Sequence, residues 1–100
     1  MNPAKRLRVH SHAQEEINEA FDWYFKRSPE AAEAFLTEIG ASLAQIAAHP
    51  QLYSTYTKNT RRRVLSGFPY SVIFQEKDDI ILVVAVAHAK RRPGYWRKRI

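Results

Sequence analysis

The chain has no cysteine and only three glycines in 100 residues, and its longest apolar run, residues 80–87, is eight long. Without cysteine, a disulfide framework and thiolate metal sites are both excluded. An eight-residue run falls well short of the ~20 residues that a membrane-spanning helix needs. The opening segment MNPAKRLRVH is basic, but no apolar stretch follows it as a secretory signal requires. These absences together suit the cytoplasm. There is no P-loop, no glycine-rich phosphate cradle and no Ser-His-Asp signature. The four histidines follow no four-ligand zinc spacing. Chemistry that depends on a metal or a cofactor is therefore not expected.

What is present is charge, unevenly placed. The net charge is +6. Residues 1–10 carry three bases and no acid, residues 11–57 seven acids and two bases, and residues 58–100 eleven bases and three acids. An acidic middle between basic ends points to a polyanionic partner, either nucleic acid or an acidic protein. The size suits one domain, residues 1–100, with a basic tail over 88–100.

Hydrophobic period assigns the elements. Residues 5–10 alternate and read as a short strand with Leu7 and Val9 on one face. Ser11, three residues before Gln14, has capping-box spacing, and a helix is expected from His12 to about Arg27. Ala13, Ile17, Ala20, Phe21 and Tyr24 form its buried stripe, with Glu15, Glu16, Glu19 and Asp22 opposite and Trp23 and Phe25 off the stripe. Ser28 caps a second helix with Pro29 at its first position. Ala32, Phe35, Leu36, Ile39, Leu43, Ile46 and Ala47 mark its apolar face until His49-Pro50 ends it. Almost no linker separates the helices, so they fold back as a hairpin. After an irregular stretch, 61–65, 70–74 and 80–87 read as strands with turns at 66–69 and 76–79. The last is apolar on both faces, so it belongs in the middle of its sheet. The expected fold is α+β: an N-terminal strand, an antiparallel helix hairpin, then a three-stranded antiparallel meander, with the helices on one face.

Several side chains could carry function. His88 stands where the buried strand meets water, within reach of proton transfer near neutral pH or merely capping the strand end. Arg61 and Arg63 share one strand face and are expected on the side of the tail, where they could grip phosphates or carboxylates. Lys90, Arg91, Arg92 and Arg97 surround Tyr95 and Trp96, a mixture of cations and π-faces suited to stacking or to anchoring a partner. Trp96 is expected to fold back on the core edge, leaving the arginines free.

The segments AQEEINEAFDWY, SPEAAEAFLTEIGASLAQIAAHP, RRRVLSGFPYSVIF and VVAVAHAKRRPGYW, in that order, resemble the RelE/ParE superfamily of toxins from type II toxin–antitoxin systems. The resemblance covers nearly the whole chain. It implies a bacterial toxin of two helices on a small sheet, held inactive by an antitoxin that wraps around it. The ParE branch poisons DNA gyrase without chemistry of its own, whereas the RelE branch cuts mRNA on the ribosome. For the second activity, His88 and Tyr95 match positions where ribonuclease members place acid–base groups. Ser71, however, stands where those members often carry an arginine that would stabilise the phosphate. The ending AHAKRRPGYW is more similar to the ParE-like chains.

The expectation is accordingly a ParE-like toxin that binds gyrase through Arg61, Arg63, Lys90, Arg91, Arg92, Trp96 and Arg97 and is neutralised by a cognate antitoxin. Either a homodimer or a toxin–antitoxin hetero-oligomer fits. The alternatives are a metal-independent ribosome-dependent endoribonuclease using His88 and Tyr95, and a nucleic-acid-binding module without toxicity.

Overall fold

A computed structural model describes residues 5–100. Strand β1 (Arg6–Val9) leads into helices α1 (Ser11–Phe25) and α2 (Pro29–Ala48). Four strands follow: β2 (Ser54–Thr55), β3 (Arg61–Val64), β4 (Tyr70–Lys77) and β5 (Ile80–His88). They form one five-stranded sheet in the order β1-β5-β4-β3-β2. β5 pairs in parallel with β1 and antiparallel with β4, which places the most apolar strand in the interior of the sheet. The expected meander is present as β3-β4-β5. The stretch read as irregular adds the two-residue β2, too short for periodicity to reveal. β4 also runs on to Lys77, because Asp78 takes a positive φ of 52° and a tight turn can begin there.

The helix ends follow from their capping chemistry. Ser28 accepts a hydrogen bond from the Ala31 N–H at 3.2 Å, and Pro29 takes the first turn. At α1 the expected cap is displaced by one residue. His10 is the N-cap, its Nδ1 accepting from the His12 N–H at 3.1 Å, and Ser11 is already helical. Gln14 does not reach back; it donates to Asn18 one turn on. The imidazole nitrogen is simply placed where a serine oxygen would serve.

Both helices pack on one face of the sheet. Ala13, Ile17 and Ala20 of α1 meet Phe35, Ile39 and Ile46 of α2 over Val72, Phe74, Ile81, Val83 and Val86. The α2 stripe is narrower than its apolar residues suggest. It runs Ala32, Phe35, Ile39, Ser42, Ile46, and Leu36 lies beside it, 44% exposed. The opposite sheet face is covered by the C-terminal tail. Trp96 is 1% exposed and packs with Ile73, Val84 and Ala85. Gly94, at φ 79°, allows the chain to turn back for this contact. Replacing Trp96 by alanine should lower the unfolding free energy by about 3–5 kcal/mol, read from urea titration, since a buried indole leaves a large cavity.

Candidate functional site

The tail is held by one carboxylate. Glu16 was expected on the outer face of α1, yet it lies three residues after Ala13 and four before Ala20, on the buried side. Its position answers a need of the sheet. The last bond between the β1 segment and β5 is from the His10 N–H to the Val83 carbonyl, and β5 continues to His88 with a bare edge. Glu16 Oε1 accepts the Val86 N–H at 3.0 Å, and Arg99 Nη1 donates to the Val84 carbonyl at 3.1 Å. Between them, Glu16 and Arg99 satisfy backbone groups that a sixth strand would otherwise take. They also form a two-pronged ion pair, with Arg99 Nη1 and Nη2 3.0 and 3.1 Å from the two carboxylate oxygens. Tyr95 completes the unit by donating its hydroxyl to Glu16 Oε2 at 2.5 Å.

Tyr95 is therefore a fixed donor. Burial pushes its phenol well above the usual tyrosine range, and the bond to Glu16 and the Glu16 charge push the same way, against a smaller opposing effect of Arg99 and Arg91. Near neutral pH it has no capacity to act as a base. His88 is likewise engaged: its Nδ1 accepts the Lys90 N–H at 3.1 Å, and its ring packs edge-on against Tyr70 with centroids 5.0 Å apart. It closes a turn by the same device as His10.

The expected cationic cluster forms in part: Arg61 and Arg63 are outside it and Arg62 joins it. Arg61 and Arg63 pair with Phe74 and Val72, whose side chains belong to the helix-side core, so they face away from the tail. Arg61 Nη1 donates to the Tyr53 carbonyl at 2.7 Å, and Arg63 Nη1 to the Tyr53 hydroxyl at 3.1 Å. Arg62 takes the tail side instead, its guanidinium 4.4 Å from the centre of the Tyr56 ring. Strand alternation could have shown this from Leu65, but Val64 and Leu65 are both apolar and the parity was ambiguous. Arg62, Ser71, Arg91 and Arg92 line a tail-side pocket of about 150 Å³ floored by Trp96, and no acidic residue lines it. Arg91 stacks 3.8 Å over Tyr95. Lys90, Arg92 and Arg97 are exposed. Arg6 and Arg8 are exposed and paired with Ile80 and Leu82, on the tail side of the sheet as well. Among the described residues no three His, Asp or Glu side chains come together to hold a metal.

A second groove, of about 410 Å³, runs between α1 and the ends of β4 and β5. Its walls include Trp23, Tyr24 and Tyr70, with Glu19 at its edge and His88 and Arg91 at its end. Burial raises the Tyr70 hydroxyl, and Tyr24, Glu19 and Glu16 raise it further.

A family model described as the ParE toxin of the type II toxin-antitoxin system, parDE, matches residues 7–93. The chain belongs to the ParE toxin family. It is similar to Toxin ParE2 of Mycobacterium tuberculosis, from strains CDC 1551 / Oshkosh and ATCC 25618 / H37Rv. To each it is 28% identical over 91 residues, covering 90% of this chain and 87% of the relative. The fold matches a solved structure described as the chromosomal ParDE TA system from P. aeruginosa, with a TM-score of 0.75 at 17% identity. That match covers 85% of this chain and 96% of the other. The ParE match ends at Pro93, so Tyr95 and Arg99, the tail's side of the Glu16 unit, lie beyond it. No helix of the described residues is long and apolar enough to cross a membrane.

Two outcomes test the Glu16 unit. Glu16→Gln should destabilise the fold by about 1–3 kcal/mol in urea titration, because it leaves Arg99 without its counter-charge in a place where both side chains are about 15% exposed or less. Alkaline pH should act through Tyr95. Its folded pKa is raised above the unfolded value of about 10, so its contribution is fully present below pH ~10 and declines as pH rises further. Urea titrations at pH 9 and 11 should show a smaller loss for Tyr95→Phe than for the parent chain.

Proposed function

We propose that this ParE-family chain arrests growth by binding an essential target, DNA gyrase, through its tail-side basic surface, and that a cognate antitoxin neutralises it. The observation that carries this reading is the pocket bordered by Arg62, Arg91 and Arg92, open to solvent and without an acid. Arginine forks set over aromatic rings suit an acidic protein surface or phosphates, and binding alone needs nothing more. Of the groups that a ribonuclease would use, Tyr95 is taken up in donating to Glu16, whereas His88 is held only through Nδ1, which accepts from the Lys90 N–H. Ser71, bordering the same pocket, supplies no charge to a transition state. These features favour binding over cleavage.

The ribonuclease alternative keeps one supporting feature, since His88, Arg91 and Tyr95 border both grooves. A pair of assays separates the two. Purified protein should block supercoiling by gyrase and leave mRNA on translating ribosomes intact. The double variant Arg91→Ala/Arg92→Ala should weaken the block about tenfold or more, as expected for two charges at an interface. Codon-position cleavage that disappears in His88→Ala would overturn the binding reading. The antitoxin is tested by co-expression: a short neighbouring reading frame with an acidic C-terminal half should restore growth.

A further inference from the structure

The helix-side groove has the opposite character to the tail-side pocket. At about 100° per residue, Glu15, Glu19 and Asp22 fall on one adjoining strip of α1, and Trp23 lies beside it. All four are exposed, with Trp23 at 52%. Glu19 makes no hydrogen bond or ion pair with any described residue, unlike Glu16, whose two oxygens are fully engaged. Of this strip Glu19 lines the groove, together with the rings of Trp23, Tyr24 and Tyr70. Trp23 already holds a cation on its ring, the Arg27 guanidinium at 3.7 Å. The one cation lining the groove, Arg91, is stacked on Tyr95 and so sits at the Glu16 end, away from the Trp23 end.

We propose that this groove receives an arginine side chain of the partner polypeptide, its guanidinium laid against Tyr70 and the face of Trp23 that Arg27 leaves open, and paired with the Glu19 carboxylate. A planar cation gains both from the ring faces and from a two-point bond to a carboxylate, which a neutral side chain of the same length cannot do. The acidic strip draws the cation in and repels acidic segments, which the tail side attracts. A partner that covers both surfaces thus carries acidic residues for one and a basic anchor for the other. The inference rests on the antitoxin reading and adds the chemistry of one contact.

The test uses the full chain and three blocked amino acids: the N-acetyl amides of arginine, norleucine and glutamate. Binding is followed by the NMR shift of the Trp23 indole N–H, with the buried Trp96 indole as internal reference. The arginine derivative should bind about three- to fivefold more tightly than the norleucine one, the scale of an exposed cation–π contact. Glu19→Gln should reduce that preference, since only the ring contact then remains, while Glu33→Gln, on the exposed side of α2, should preserve it in full. Equal binding of arginine and norleucine derivatives, or a preference that Glu19→Gln leaves unchanged, overturns the proposal. Neither outcome alters the growth-rescue test, by which the antitoxin reading stands or falls separately.

Discussion

The architecture turns on a bare strand edge and the carboxylate that closes it. β5 is longer than β1, so its last residues would present backbone groups to solvent on one side while their side chains remain in the core. An unpaired edge of that kind invites a foreign strand. Glu16 closes it from α1 and Arg99 closes it from the tail, and because the two also pair with each other, helix, sheet and C-terminus are fixed by a single group. The residues it holds in the tail, Tyr95 and Arg99, flank Trp96, which packs on the far face of the sheet.

The same arrangement sorts the charge. All seven acids of residues 11–57 lie on α1 and α2, on one side of the sheet. Arg6, Arg8 and Arg62 project from the other side, where the tail adds its own arginines and lysines. The acids of the chain's middle are thus gathered on the helix side, which also carries Arg61 and Arg63, while the tail side is basic. Two grooves of unlike character result, one aromatic with a free carboxylate and one ringed by guanidinium groups. Glu16 lies at their boundary and belongs to neither as a free charge.

Much of the fold could be read before any coordinates. The proline at the start of α2, the spacing of Ile17 and Ala20, and the doubly apolar β5 each signal an element by a local rule, and each element is there. The site was less legible. Arg61 and Arg63, expected on the tail side, face the helices, and Arg62 between them takes the tail side; two adjacent apolar residues, Val64 and Leu65, hide the strand's parity. Glu16 looked like one more solvent-facing acid because charge dominates a reading of α1, although its spacing from Ala13 and Ala20 pointed inward. Ser11 looked like a cap because serine is the common choice, yet the backbone turned one residue earlier, at His10.

By itself the sequence determined the element types, the central place of β5 and the uneven charge, because these follow from hydrophobic period and composition; Trp96, also read as a binding residue, is buried on the sheet instead. Only the tertiary structure decided which arginine faces the tail, which acid holds it, and that the acidic and basic segments lie on opposite faces. The side taken by Arg62 depends on the register of β3 with β4, and the choice of Glu16 as anchor on contacts between residues some 80 positions apart, such as Glu16 with Arg99, about which local spacing carries no information.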